Sequence, residues 1–191
     1  MPVEVEVKAR IRDRARIEAW LGSRSSGVTS IYDDTYYDFA DLRLEHASRA
    51  DLRLRRITTD GNVRLLWTHK ASALADGGVP ELETTVGDLE SAAGILGALG
   101  VTPKIAYTKQ CVTYRFPVDG HQVVVTLERI AELPHEYVEV EVMAADADDR
   151  TGAWRVVEHV LDAIGVTAQD IDPTCHIALV RAARAAVRAI E

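Results

Sequence analysis

The sequence predicts an α+β protein in which about eight antiparallel strands close into a β-barrel with a polar, charged interior, flanked by about four helices. Three observations lead there. Apolar and polar residues alternate with period two in one segment after another. Short turns such as Asp60-Gly61 and Asp119-Gly120 join neighbouring segments, which favours hairpins and antiparallel pairing. Charges of one sign collect on single strand faces, where a solvent-facing sheet tends to mix signs.

Residues 3–11 alternate as a strand. Asp13 can cap a helix through "RARIEAWL", which Gly22 ends. After the loop "SRSSG", alternation returns in "SIYDDTYYDF", "ADLRLRRITT" and "VRLLWTHK". The turn "ADGG" leads to the strand "PELETTV". Asp88 caps the helix "DLESAAGILGALG", and Gly100 closes it. Three strands follow: "KQCVTYRFPV", "HQVVVTLERI" and "HEYVEVEVMA". Thr151 is expected to open a helix through "AWRVVEHVLDAI", stopped by Gly165. Asp172-Pro173 reads as a cap with proline at the first helical position, opening a long helix to the end.

The length of 191 residues suits one domain, 1–191, with C-terminal helices in 151–190. Apolar residues make up 47%, enough for a core. A net charge of −8 argues against a general binder of DNA or membrane surfaces. Cys111 and Cys175 read as free thiols of a reducing compartment. With neither a signal peptide nor a long apolar span, the expectation is a cytoplasmic protein, monomer or homodimer.

The faces carry the chemistry. Side chains at i and i+2 share a strand face. Glu4, Glu6 and Lys8 share one, Arg53 and Arg55 another, and Thr68 and Lys70 a third. Glu81 pairs with Glu83 and Glu139 with Glu141, while Lys109 leads a further face. Taken singly, each strand reads as an amphipathic sheet strand with its charges in water. Taken together, segregation by sign favours charges pointing inward and apolar faces packed on helices. About eight strands enclose room for one small ligand. Separate carboxylate and guanidinium clusters are unstable when empty, and divalent cations and a polyphosphate would satisfy them. Seven acids, with Glu128 included, face five bases, a surplus of two negative charges. Two Mg²⁺ would turn that into a setting for a triphosphate of roughly four negative charges. Arg53 and Arg55 should repel each other without an anion between them. Arg55→Ala is therefore expected to leave the metal-free chain no less stable.

These residues resemble a known family. The opening "EVEVK" is similar to the Glu-x-Glu-x-Lys signature of the CYTH superfamily, the triphosphate tunnel metalloenzymes. The ordered blocks "DDTYYD", "LRLRR", "LLWTHK", "PELE", "KQCVTY", "VTLERI" and "YVEVEV" extend the likeness over about residues 2–145. The resemblance implies an eight-stranded antiparallel tunnel that holds Mg²⁺ or Mn²⁺ and a triphosphate. It implies Glu4, Glu6, Glu139 and Glu141 as metal ligands, with Glu81, Glu83 and Glu128 as supporting acids. Lys8, Arg53, Arg55, Lys70 and Lys109 would bind phosphate, and Lys70 and Tyr36 would be catalytic. Where relatives often read Lys-x-Arg, this chain has Lys109-Gln110-Cys111, and Arg115 on the same face is the candidate replacement. Position 128 is glutamate where aspartate is common, and the last block reads "DPTCHIAL". Glu4 and Glu139, each opening a Glu-x-Glu face, are expected to share a cation.

Other residues read more plainly. His69 should face outward, His121 should be solvated, and His176 suits a surface or capping place better than a catalytic one. Cys111 reads as a filler on the inward face. Arg181, Arg184 and Arg188 form a helical stripe expected to be solvated. Three functions remain open. One is metal-dependent hydrolysis, with inorganic triphosphate preferred because no aromatic cage is apparent. The second is a class IV adenylyl cyclase making cyclic AMP and pyrophosphate from ATP. The third is a polyphosphate or nucleotide sensor without turnover.

Overall fold

The computed structural model describes residues 2–189. Eight strands are joined antiparallel into a closed barrel: β1 (Val3–Arg10), β2 (Val28–Phe39), β3 (Asp51–Thr59), β4 (Asn62–Lys70), β5 (Val79–Thr85), β6 (Val101–Val118), β7 (His121–Arg129) and β8 (Tyr137–Ala144). The order around the barrel is β1-β5-β4-β3-β2-β6-β7-β8. Strand β1 closes it, paired with β8 along its whole length and with β5 only at Val3 and Glu4. Four α-helices lie outside: α1 (Arg14–Gly22), α2 (Leu89–Ala98), α3 (Ala147–Ile164) and α4 (His176–Arg188), with a π-helical turn at Leu44–Ser48.

The turns follow from local chemistry. Asp60 and Gly61 take φ of 48° and 80°, and Asp119 and Gly120 take 48° and 83°, the paired positive values of a tight hairpin. Asp13 accepts from the Arg16 amide at 3.0 Å and starts α1. Asp88 accepts from the Ser91 amide at 2.7 Å and starts α2.

The apolar core sits outside the barrel wall. Val5, Val123, Val138, Val140 and Val142 pack against Val156, Val157, Val160 and Ile164 of α3 and against Leu21 of α1. Each such side chain contributes roughly 1.5–3 kcal/mol on burial. Ala92 and Leu96 of α2 cover Tyr37, Leu54 and Val101. Ile177 and Val180 of α4 pack on Tyr36, Ile105, Tyr107 and Ile130. The apolar faces being occupied by helices, the opposite faces line the interior.

Three elements depart from the sequence reading. Strand β6 starts at Val101, well before the expected 109. Its early part was masked by Pro103, opposite which the register with β2 slips and Lys104 is bulged out. Helix α3 starts one turn before Thr151, because Asp146 caps it by accepting from the Asp149 amide at 3.0 Å. Helix α4 starts at His176, not at Pro173. Asp172 is not its cap: the carboxylate binds Arg10 at 2.8 and 3.0 Å, and the Asp172 amide donates to Lys8 O at 3.0 Å. Residues 171–175 thus form a strap beside β1. The end of the expected last helix, 190–191, lies outside the described residues.

The arginine stripe is solvated only at Arg188, which is exposed; Arg181 and Arg184 are half-buried and paired. Arg181 makes a two-pronged bond to Glu45 at 2.8 and 3.0 Å, and Arg184 binds Glu132 at 2.5 and 2.9 Å. His121 is half-buried, its Nε2 2.8 Å from Asp149 Oδ1. Among the described residues, no helix is long and apolar enough to cross a membrane.

Candidate active site: a charged tunnel

The inward faces enclose a cavity of about 870 Å³. Every candidate site residue named from the sequence lines it, from Glu4, Glu6 and Lys8 on β1 to Glu139 and Glu141 on β8. Nine carboxylates and seven lysines or arginines are present, so the lining carries a surplus of two negative charges. His69 lies outside the cavity, its Nδ1 3.2 Å from Asp51 O.

The acids form two groups. In the first, Glu4, Glu6 and Glu141 each place an oxygen within 4.8 Å of the others. The register explains this, since Glu6 lies directly opposite Glu141. Lys70 reaches in from β4 and bonds to Glu4 and to Glu6 at 3.0 Å, and its ammonium lies 3.3 Å from Glu81 Oε2 as an ion pair. Burial pushes the Glu4 carboxyl up to about 10. Burial also acts to raise Glu6, but Lys70 and a bond from Glu4 outweigh it and hold that carboxyl at about 2. Burial, reinforced by Glu6, lifts Glu141 to about 7. Burial works against charge on Lys70, yet Glu6 and Glu4 prevail and keep it an ammonium.

The second group is Glu128, Glu139 and His176, again with ligand atoms within 4.8 Å of one another. The Lys109 ammonium bonds to Glu128 and lies 3.9 Å from Glu139. His176 Nε2 is 3.5 Å from Glu128 Oε2, and Nδ1 is 3.5 Å from Glu139 Oε1. Burial drives the imidazole down to about 4, against the pull of Glu139. His176 is thus a buried tunnel residue, not a surface or capping one. Glu4 and Glu139, expected to share a cation, fall into different groups.

The basic wall is partly satisfied from within. Arg55 donates two bonds, of 2.5 and 2.7 Å, to Asp34, which lies opposite it on β2. Arg53 donates to Thr68 at 3.2 Å, and Thr68 donates to Glu83 at 3.0 Å. Lys8 bonds to Thr174 O in the strap. The Tyr36 hydroxyl accepts from Tyr107 at 3.3 Å, and the Arg53 guanidinium lies 5.9 Å from the Tyr36 ring centroid. Arg115 is exposed at the cavity rim. Cys111 is buried on the inward parity, opposite Glu128, and burial pushes its thiol up.

Sequence reasoning missed Asp34, took Asp172 for a helix cap and ranked His176 below a surface or capping role. Asp34 had a signal: it shares strand parity with Tyr32 and Tyr36. The place of His176 could not be fixed from the sequence, because it depends on where α4 docks.

The donor set fits a divalent cation. Both groups are rich in carboxylate oxygen, and Glu81 Oε2 and Glu128 Oε2 are buried without a hydrogen-bond partner. In each group a lysine ammonium stands where a metal ion would otherwise balance the acids.

The CYTH domain family matches residues 2–170. The chain belongs to the CYTH family. No curated protein matches the chain. Among solved CYTH-like structures, PH1819 of Pyrococcus horikoshii OT3 is 20% identical with a TM-score of 0.77, over 94% of this chain and 98% of that one. A "putative adenylate cyclase" of Vibrio parahaemolyticus is 19% identical with a TM-score of 0.74, over 94% and 98%. Hippeastrum HpAC1, a "putative adenylyl cyclase" described as having a dominant triphosphatase activity, is 16% identical with a TM-score of 0.64, over 95% and 96%. At these identities the likeness establishes the fold.

Proposed function

We propose that this CYTH protein is a divalent-metal-dependent triphosphatase that takes inorganic triphosphate, or the triphosphate of an organic compound, inside the barrel. One observation carries the reading. Two acidic groups, each now balanced by a lysine, face Arg53, Arg55 and Lys8 across one cavity. The oxygen donors suit Mg²⁺ or Mn²⁺, held by Glu4, Glu6 and Glu141 and by Glu128 and Glu139. When bound, the ion supplies charge neutralisation at phosphate oxygens.

The chain's own residues do the rest. Arg53 and Arg55 present planar forks of donors that match phosphate oxygens. Among the described residues Arg53 Nε has no hydrogen-bond partner, and its N–H can donate to a phosphate oxygen. Lys8 and Lys109 add point charges on either side. Lys70, an ammonium, serves as a donor and a charge, not as a base. The Tyr36 hydroxyl accepts from Tyr107, which leaves its own proton free for a phosphate oxygen. In hydrolysis, water bonds to the terminal phosphorus and gives up a proton to solvent, the bridging P–O bond breaks, and the remainder leaves, pyrophosphate from inorganic triphosphate or the organic diphosphate from an organic one. The lysines and arginines of the basic wall stabilise charge on the transferred group.

A second reading has its own observation. Tyr32, Ile57, Leu66 and Val124 line part of the cavity, so the interior is not wholly polar. These apolar side chains, which are no aromatic cage, are what an organic group would meet beside the charged wall. ATP cyclisation to cyclic AMP and pyrophosphate uses the same charged wall. A panel of inorganic triphosphate, ATP and thiamine triphosphate with Mg²⁺ or Mn²⁺, scored for phosphate, pyrophosphate and cyclic AMP, separates the readings. Phosphate release is expected. Cyclic AMP would establish the second reading, and binding without product from any substrate would overturn both in favour of a sensor.

A further inference from the structure

We infer that Glu128, Glu139 and His176 form a mixed nitrogen and oxygen cation site that prefers first-row transition ions such as Mn²⁺ and Co²⁺ to Mg²⁺. The inference deepens the metal-dependent reading above and names a ligand beyond its all-oxygen set.

Three elements bring the donors together: β7 carries Glu128, β8 carries Glu139 and the first turn of α4 carries His176. Their ligand atoms lie within 4.8 Å of one another, close enough for small side-chain movements to bring all three onto one ion. Two atoms point to a missing partner. Glu128 Oε2 and His176 Nε2 face each other at 3.5 Å, and neither has a hydrogen-bond partner. Glu128 is 1% exposed and His176 7%. Buried polar atoms are rarely left in this state, and each is a lone-pair donor once the imidazole is neutral. Lys109 bonds the other oxygen of Glu128, so an ion at Oε2 need not displace it.

The imidazole is fixed, not loose. The Tyr137 ring meets it edge-on at 5.2 Å. Ile177 and Val180 seat α4, and the Arg181 and Arg184 ion pairs hold its far side. The family match ends at residue 170, so the nitrogen donor comes from chain beyond it. The contrast with the first group is chemical. Glu4, Glu6 and Glu141 offer oxygen alone, which suits Mg²⁺, whereas imidazole suits transition ions.

The test uses the full chain with metal salts and no triphosphate. Pulsed electron paramagnetic resonance of the Mn²⁺-loaded protein is expected to show nitrogen coupling from a bound imidazole. That coupling should vanish in His176→Gln. It should vanish also in Glu128→Gln, which keeps all six histidines and so controls for ions on surface imidazoles. In calorimetric titrations His176→Gln should weaken Co²⁺ at one site by about 10- to 100-fold and Mg²⁺ by less than about threefold. Absence of nitrogen coupling in the unsubstituted protein overturns the site, with no need for a folded variant. So does coupling that survives either substitution. Nitrogen coupling without product from any triphosphate would leave this site standing and overturn the hydrolytic reading. Product without coupling would do the reverse.

Discussion

Arg55 sits beside a like charge, Arg53, yet its nearest partner is Asp34, bound through two hydrogen bonds and 1% exposed. Repulsion between the arginines is therefore not the governing term, and the expectation that Arg55→Ala leaves the metal-free chain no less stable is reversed. Removing one partner of a buried pair leaves an uncompensated charge, so Arg55→Ala should cost about 3–5 kcal/mol of stability in urea unfolding at neutral pH. An unchanged midpoint would contradict this. The pH dependence has a definite sign. Burial acts to raise Asp34, but Arg55 outweighs it and holds the carboxyl at about 2 against an ordinary 3.8. Its contribution is complete above 3.8 and fades as pH falls through about 2. In Arg55→Ala only the more distant Arg53 and Lys109 still oppose burial, so acidification should cost the variant less stability than the parent. Asp34 was hard to read in "DDTYYD" because Asp33 and Asp34 are adjacent and take opposite faces. The acids and bases that repeat at i and i+2 were legible, since that spacing is itself the signal.

Helix α4 shows where an element escapes sequence reasoning. Asp172-Pro173 has the chemistry of a helix start, but Arg10 claims the carboxylate and the strap pairs with β1, so the helix begins at His176. Long-range partners decide such a boundary, and local propensity does not contain them. Hairpins were legible because turn residues and alternation are local; strand β6 was short-read because proline hides its first half. The arginine stripe looked solvated because its partners, Glu45 and Glu132, lie far away in sequence. These pairs are partly exposed and should together contribute about 1–2 kcal/mol. The double substitution Arg181→Ala, Arg184→Ala should therefore speed amide hydrogen exchange in α4 by roughly 5- to 30-fold while leaving α3 unchanged. Equal exchange in both proteins would show that apolar contacts alone dock the helix.

At the scale of the whole molecule, closure of the sheet turns eight amphipathic strands into one enclosed, charged interior. Closure could be argued from the segregation of charge by strand, but the strand order and the division of the acids into two groups could not. Those depend on register, as in Glu6 opposite Glu141 and Lys8 opposite Glu139. The interior is held by compromise: lysines among carboxylates and buried oxygens without hydrogen-bond partners. A ligand that binds only the folded chain stabilises it. The most direct test of an interior built for metal and triphosphate is a thermal melt of the parent and of Glu139→Gln, Glu141→Gln, each alone, with Mn²⁺, and with Mn²⁺ plus inorganic triphosphate. At about 100 times its dissociation constant Mn²⁺ should add about 2.7 kcal/mol, which for a chain of this length raises the melting temperature by roughly 5–10 °C. Triphosphate should raise it further. The double variant, relieved of one carboxylate in each group, should be at least as stable without metal and should lose most of the metal response. A parent protein whose melt is indifferent to metal and triphosphate, with a variant that behaves identically, would contradict the account.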